Sequence, residues 1–303
     1  CWVCLGRFAI GNPVDILLGE DMTQQERLNA ISQLGLDQPL WRQYLNFLWQ
    51  VLHGELGRSY VYDLSATHLI FQRLPATLEL ALAAMLLAIV IGVPLGLYCG
   101  LFPQRRSAQV LMAGSILGFS LPSFWVALML ILVFSVQLGW LPASGRGATV
   151  SVFGVHWSWL TLDGLQHLLL PACNLALFKV SLVMRLTRAG VQETLQQEHV
   201  KYAHAKGLHP WHVVRMHVLR NTLIPLVTVL GLELGSTIAY AVITESIFAW
   251  PGAGKLILDS IYNLDRPVIL AYLMVVVLLF VSVNLLVDIS YRLLDPRVRK
   301  AAP

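Results

Sequence analysis

The sequence predicts an all-α, polytopic membrane protein, and both its composition and the form of its apolar runs point to this class. Hydrophobic residues make up 56% of the chain and charged residues 13%, and the mean hydropathy is +0.66. A soluble domain carries about 25% charged residues. The apolar runs are continuous rather than alternating. Because a backbone in lipid must satisfy its hydrogen bonds internally, continuous runs predict helices rather than the strands of a barrel.

Five stretches of the sequence are long enough to cross a bilayer, which takes about 20 apolar residues. They cover residues 77–101, 108–138, 165–184, 223–244 and 267–287. The second stretch is longer than one span requires, so Gly114, Gly118 and Pro122 are expected to kink it or to divide it into a shallow and a steep segment. Small residues within the spans are expected to let neighbouring helices approach closely; they are Gly92, Gly96, Gly231, Gly235 and Ser236.

The distribution of basic residues predicts the orientation of the spans. Lys and Arg concentrate between spans one and two, between spans three and four, and after span five, and these regions hold 12 of the 21 basic residues. By alternation all three lie on one side, which the positive-inside rule makes the cytoplasm. The C-terminus is therefore expected to be cytoplasmic, and the loops 139–164 and 245–266 are expected to face outside.

Residues 1–73 form a separate region before the transmembrane domain at 74–303. They contain seven acidic residues and five arginines, a net charge of −2, and no convincing span. A polar region of this size does not cross a bilayer alone, so we expect a first span that is missing or degenerate at the N-terminus, six spans in all. A capping box at Thr23 and Glu26 and a stop at Gly35 predict one external helix, and Asp37 and Pro39 begin a second. These helices are expected to pack on the outer surface, with docking of an external partner as the alternative.

A polar insert at residues 185–222, hereafter the insert, separates the third and fourth predicted spans. It carries six basic residues against two acidic ones, a net charge of +4. An apolar stripe on a first helix is expected from Val191, Leu195, Val200 and Ala203, ending at Gly207. A second helix is expected from Pro210 through Trp211, Val214 and Val218 to Arg220. Such a compact pair of helices could fit a groove on a soluble partner or lie on anionic lipid, and the physical argument leaves these equal.

Histidines and cysteines carry little functional signal. Five of the nine histidines lie in the insert, at positions 199, 204, 209, 212 and 217. Their spacing fits no simple helical chelate and no acidic or cysteine set accompanies them, so no metal site is predicted. Cys99 and Cys173 lie in apolar spans and are interpreted as small core residues. Cys1 and Cys4 are too few to define a motif.

Several motifs of the insert resemble one protein family. YAHAKGL (202–208) and HVLRNTLIP (217–225) are similar to the conserved cytoplasmic loop of permease subunits of ATP-binding-cassette (ABC) importers, in the dipeptide, oligopeptide and nickel group. The general form of that loop has Glu-Ala-Ala about six residues before its glycine. Here residues 201–203 are Lys-Tyr-Ala, so one alanine and Gly207 match, a departure that is usual in the peptide subgroup.

Further motifs of the same group follow in the expected order through nearly the whole chain. They are LGLDQPLWRQY (34–44), GELGRSY (54–60), RLPATLELA (73–81), LPSFW (121–125), LGWLP (138–142), LLLPA (168–172), TESIFAWPGAGKL (244–256), LDRPV (264–268) and LLDPRVR (293–299). No single motif decides the matter, but their order over about 290 residues is highly specific.

The resemblance implies a type I ABC importer permease in the bacterial inner membrane. Such a subunit pairs with a second homologous permease to form the translocation path for di- or oligopeptides, which an external solute-binding protein delivers. Two ATPase subunits bind beneath it and hold ATP and Mg²⁺, while the permease binds no cofactor, performs no bond chemistry and contacts no nucleic acid. Import of nickel or glutathione by the same group is the alternative substrate assignment, and a channel or carrier outside the ABC class is less favoured.

The resemblance also assigns the coupling of ATP hydrolysis to the insert. The residues expected in this contact with the ATPase are Glu198, Tyr202, Ala203, Ala205, Lys206, Gly207, Leu208, His217, Arg220 and Asn221.

Glu233 is the candidate for the translocation path. A carboxylate inside a span is costly and faces a cavity or a partner, and Ser236 and Tyr240 follow it three and seven residues later on the same helical face. One hypothesis places Glu233 in the path, against the amino group of a peptide. The other gives it a structural hydrogen bond or ion pair, with Lys179 or with a partner subunit. Glu79 and Glu245 lie near the ends of predicted spans and are expected to be interfacial.

Overall fold

The structure, a computed structural model, describes residues 53–294 and, before them, residues 39, 41, 42, 45, 49 and 51. The predicted first span, the helix at 23–35 and Cys1 and Cys4 lie outside the described residues. Residues 41, 42, 45, 49 and 51 are helical, as expected for the second external helix. The resemblance to LLDPRVR at the C-terminus also falls largely outside the described part.

Residues 53–294 form nine α-helices, two π-helical segments and one short hairpin. The helices are α1 (Ala66–Leu101), α2 (Arg106–Ser120), α3 (Ser123–Leu130), α4 (Leu162–Leu195), α5 (Glu198–Ala205), α6 (Pro210–Val213), α7 (Arg220–Ile247), α8 (Ala253–Tyr262) and α9 (Arg266–Leu294). The π-helical segments, Ile131–Gln137 and Val214–Leu219, continue α3 and α6. The antiparallel hairpin pairs β1 (Val150–Val152) with β2 (Val155–Trp157).

All five predicted spans fall on helices. Within the described residues four helical stretches are long and apolar enough to cross a membrane: Ala66–Leu101, Leu162–Leu195, Pro225–Ile247 and Arg266–Val287. The fifth, Arg106–Ser120 with Ser123–Gln137, is bent by 104° and is either a broken span or a re-entrant segment. The predicted division of this stretch is therefore confirmed.

Pro122 rather than the two glycines causes the bend. Leu121 has an extended backbone (φ −76°, ψ 139°) and so has Pro122 (φ −62°, ψ 132°), whereas Gly114 and Gly118 lie inside the continuous helix α2. Proline lacks an N–H donor and disfavours a helical conformation in the residue before it, so the chain leaves the helix at Leu121.

The described residues divide into two compact units, one formed by 76–251 with 278–294 and the other by the residues before 76 with 252–277. In the larger unit, α1 packs closely on α4 through glycines spaced four residues apart. A methyl group added to Gly92, Gly96 or Gly100 would lie 2.8, 2.6 or 2.7 Å from the nearest atom of α4. Gly231 and Gly235 of α7 similarly face side chains of α9. The expectation of close helix approach at Gly92, Gly96, Gly231 and Gly235 is confirmed, as small residues favour such contacts in membranes.

In the smaller unit, the buried side chain of Asp265 organises the polar contacts. Its carboxylate accepts hydrogen bonds from Ser59 Oγ and from the Tyr60 backbone N–H, the latter at 3.2 Å. Burial raises the pKa of the Tyr60 hydroxyl, and the neighbouring Arg266 guanidinium opposes that shift. These contacts connect residues before α1 to the turn between α8 and α9.

The hairpin at 150–157 departs from the all-helical prediction. Its two turn residues, Phe153 (φ 53°) and Gly154 (φ 79°), both have a left-handed backbone. This is the pattern of the type I′ turn, whose twist matches that of a two-residue hairpin. Each strand has three residues, which is too short for a pattern of alternating hydrophobicity to predict it from the sequence.

Candidate functional site: the insert and an intramembrane cavity

The insert is built differently from the predicted pair of free helices. Helix α4 continues to Leu195, so Val191 and Leu195 belong to the helix of the third span. The helical conformation is interrupted at Gln197, whose backbone is extended (ψ 144°). Helix α6 begins at Pro210, as expected, and runs through the π-helical segment Val214–Leu219 into α7 without a break. The insert is therefore the joined ends of two spans with α5 between them. The prediction missed the break because no glycine or proline marks it.

A small apolar core fixes the insert beneath the membrane-spanning helices. Its buried members are Val191, Val200, Ala203, Val213 and Val218, and Leu97, Leu101 and Leu195 pack against them. Three of the four predicted stripe residues are thus buried, Leu195 is half-buried, and Val218 of the predicted second helix is buried as well. Trp211 is instead 62% exposed and Val214 half-buried, while Val213 takes the core position. The π-helical segment changes the side-chain register from that of the regular helix assumed in the prediction.

Most of the predicted coupling residues lie on the surface of the insert. Ala203 is buried and His217 half-buried; the other eight are exposed: Glu198, Tyr202, Ala205, Lys206, Gly207, Leu208, Arg220 and Asn221. Gly207 has φ +74°, a conformation that glycine adopts without a steric cost, and it lies in the loop 206–209 between α5 and α6. Four large apolar side chains are also exposed here: Tyr202, Leu208, Trp211 and Met216.

Polar contacts order the exposed surface of the insert. The Asn221 side-chain amide donates to the His217 carbonyl at 2.8 Å and contacts His199 Nε2 at 3.1 Å, which ties α5 to the start of α7. Lys201 Nζ donates to Glu198 Oε1 at 2.8 Å, and this hydrogen bond lowers the pKa of the exposed Glu198 carboxyl. Within residues 53–294 no group of three His, Cys, Asp or Glu side chains is placed to hold a metal ion.

A second candidate site is a cavity of about 550 Å³ in the larger unit. Its walls come from α2, α3, α4 and α7. The lining residues are Phe119, Ser123, Leu175, Phe178, Lys179, Leu182, Arg185, Glu233, Ser236, Thr237, Tyr240, Ile243 and Thr244. The volume falls within the range of small-molecule sites, about 300–1,000 Å³. The wall is mainly apolar, with charged groups at a few points.

The ion pair between Lys179 and Glu233, one of the two interpretations of Glu233, is present in the cavity wall. Lys179 Nζ lies 2.5 Å from Glu233 Oε2 and 3.0 Å from Ser236 Oγ. Ser236 Oγ lies 2.9 Å from the same carboxylate oxygen. Because the pair lines the cavity, with Tyr240 beside it, the structural interpretation and the path hypothesis are compatible.

The side chains of Glu79 and Glu245, which were expected to be interfacial, are both fully buried within the protein. Helix α1 begins at Ala66, about three and a half turns before Glu79, so Glu79 lies inside the helix and not at its start. Its carboxylate accepts from Arg146 Nη2 (2.5 Å), Ser158 N (2.7 Å), Ser158 Oγ (2.8 Å) and Trp159 N (2.9 Å). These bonds hold the loop 139–161 against the span. The signal in the sequence was Arg146, the one basic residue of the loop 139–164.

Comparisons with known proteins agree with this arrangement. Residues 92–300 match the family described as the binding-protein-dependent transport system inner membrane component. The chain is 39% identical to the di/tripeptide transport system permease protein DppB of Pseudomonas aeruginosa, over 97% of this chain and 91% of that protein. It is 36% identical to the oligopeptide transport system permease protein AppB of Bacillus subtilis, over 96% and 90%.

Solved structures show the same fold. Inward-facing structures of the MetNI methionine ABC transporter align with a TM-score of 0.60, covering 75% of this chain and 96% of the matched chain at 18% identity. At this level of identity the likeness concerns the fold alone.

The apolar helices and the matched family define a multi-pass inner membrane transport protein. The chain belongs to the binding-protein-dependent transport system inner membrane component family, and it is an ABC importer permease of the peptide group. The predicted family and type I importer permease fold are confirmed. A permease of this family is a transport subunit and not an enzyme, and its family implies partnership with an ATPase and a binding protein.

Proposed function

We propose that this permease forms half of the translocation path of an ATP-driven peptide importer. A second homologous permease supplies the other half, an external solute-binding protein delivers the peptide, and two ATPase subunits bind and hydrolyse ATP. The names of the similar permeases, which specify dipeptides, di/tripeptides or oligopeptides, favour peptides over nickel or glutathione. The orientation that goes with this function has the insert and the C-terminus in the cytoplasm.

The observation that carries the proposal is the exposed surface of the insert. It presents Tyr202, Leu208, Trp211 and Met216 to solvent, between basic residues and over a fixed apolar core. Aromatic and methionine side chains are enriched at protein interfaces, and a basic rim sets orientation and rate of association. A contact of this kind suits docking into a groove of an ATPase subunit better than adhesion to lipid alone.

The connection of the insert to the spans gives this docking a mechanical consequence. Helix α4 carries Lys179 and ends within the insert at Leu195, about 24 Å further along its axis. Helix α7 carries Glu233 and is continuous with α6, which begins in the insert. A movement imposed on the insert by closure of the ATPase dimer would therefore be carried along two helices that line the cavity. In this proposal the cavity is part of the translocation path.

The proposal is tested by reconstituting the permease with its partner subunits in liposomes and measuring two rates. These are peptide uptake and the ATP hydrolysis that the peptide-loaded binding protein stimulates. Lys206→Glu reverses one charge of the exposed surface without touching the core. We expect it to remain in the membrane but to lose ATPase binding, uptake and stimulated hydrolysis together. Co-purification of both ATPase subunits and normal uptake with this variant and with a variant of Gly207 would remove the insert from the mechanism.

A further inference from the structure

The ion pair in the cavity differs from the structural ion pair elsewhere in the same unit. The Glu79 side chain is fully buried and its carboxylate accepts four hydrogen bonds. The Glu233 side chain is 29% exposed and lies in a cavity wall. Within the described part of the chain, the side-chain donors to the Glu233 carboxylate all meet Oε2. Its other oxygen therefore remains available to a ligand.

The pair has the charges that a short peptide needs. A peptide with free termini carries one ammonium and one carboxylate, so it is neutral overall, as the pair is. If it enters the cavity, Lys179 can turn to the peptide carboxylate and Glu233 to the peptide ammonium. Each of the four charges then keeps an opposite charge, which matters because an unpaired charge in this environment is strongly unfavourable. Ser236 Oγ, 3.0 Å from Lys179 Nζ, can hydrogen-bond either partner.

The rest of the wall is suited to side chains of varied form. Phe119, Phe178, Leu182 and Ile243 provide aromatic and aliphatic surface around a volume of about 550 Å³. Apolar contact of this kind is non-directional and discriminates weakly between side chains. The cavity thus combines a specific site for termini with a tolerant site for side chains.

We propose that Lys179, Glu233 and Ser236 form an exchangeable ion-pair site in the permease that binds the two charged termini of a short peptide during its passage. This inference rests on the proposed function. It makes the permease itself selective for peptides with both termini free, in addition to any selection by the binding protein.

The test compares three probes in the reconstituted importer: the dipeptide Ala-Phe, its N-acetyl form and its C-terminal amide. The same binding protein is used at saturation throughout, so its own preferences cancel between permease variants. Lys179→Gln should lower uptake of the free dipeptide about ten- to a hundredfold, the loss of a charge-assisted hydrogen bond, and should raise uptake of the amide relative to it. Glu233→Gln should also lower uptake of the free dipeptide, and it should raise uptake of the N-acetyl form relative to it. The control R58Q/D63N removes an exposed ion pair outside the cavity and should leave the ratios unchanged.

The double variant K179Q/E233Q separates transport from folding. It leaves neither partner of the pair charged, so it should assemble and co-purify with both ATPase subunits, yet its uptake of the free dipeptide should stay as low as that of the single variants. Recovery of uptake to the parent rate in the double variant would show that the ion pair has only a structural role, and would overturn the inference. Unchanged uptake ratios among the three probes in the single variants would overturn it too. Absence of uptake of any probe by the parent importer would instead overturn the proposed function, and this inference with it.

Discussion

The buried carboxylate of Glu79 gives a quantitative test of how the loop 139–161 is held. In Arg146→Gln the Glu79 side chain keeps its bonds from Ser158 and Trp159, but loses the guanidinium at 2.5 Å. Removing one partner of a buried ion pair costs about 3–5 kcal/mol. Because three hydrogen bonds remain, we expect the lower end of this range, about 3 kcal/mol, which corresponds to a roughly hundredfold change in the opening equilibrium of the loop.

Hydrogen exchange at the Ser158 and Trp159 amides measures this opening directly, since both donate to Glu79 Oε1, at 2.7 and 2.9 Å. Their exchange should accelerate about a hundredfold in Arg146→Gln. The control is Arg58→Gln, whose ion pair with Asp63 is exposed (70% and 85%) and should contribute at most about 1 kcal/mol. Exchange rates at Ser158 and Trp159 that match those of the control would refute the assigned role of the ion pair.

Three further predictions concern the helix contacts and the insert. Gly96→Val should lower the free energy of unfolding by about 1–3 kcal/mol, because an added Cβ lies 2.6 Å from the backbone of α4. Thermal unfolding measures this change. The control is Gly114→Ala, which has open space around the added Cβ and should be neutral or slightly stabilising in the same assay. Gly207→Ala should lower the free energy of unfolding by about 1–2 kcal/mol from its positive φ alone, since no atom lies within 4 Å of the added Cβ. The same thermal unfolding assay measures this cost, and an unchanged unfolding midpoint would contradict it. The contact of Glu198 with Lys201 should be present above the pKa that the carboxyl has in the unfolded chain. It should be lost as the pH falls through the lowered pKa of the folded state. An NMR titration of Glu198 in the parent protein and in the Lys201→Gln variant would detect this difference in pKa.

Local sequence patterns predicted the spans and the bend of the second one. Hydropathy over about 20 residues places each helix because the membrane sets both its length and its composition. Pro122 placed the bend because its effect acts on its own residue and the one before. Similar local signals placed the start of α6 at Pro210 and the end of the preceding helix near Gly207.

The prediction was weaker where a boundary depends on packing. The helix break at Gln197 is not marked by a glycine or proline. The exposure of Trp211 follows from the π-helical segment that comes after it in the sequence. The hairpin at 150–157 is stabilised by a turn of two residues and by the position of its loop, not by a pattern of alternating side chains. Such features arise when neighbouring segments compete for the same contacts.

The sequence by itself determined that this protein is a multi-pass permease with a basic insert between its third and fourth visible spans, because hydropathy, charge and ordered motifs are properties of short segments. Only the tertiary structure decided which charges meet. Arg146 reaches Glu79 across 67 residues, and Lys179 reaches Glu233 across 54. A span shows that it contains a charge, but the partner of that charge depends on how the helices pack and which face each one turns inward. For this reason only the structure distinguishes the buried ion pair of Arg146 and Glu79, which holds a loop, from the accessible ion pair of Lys179 and Glu233 in a cavity wall.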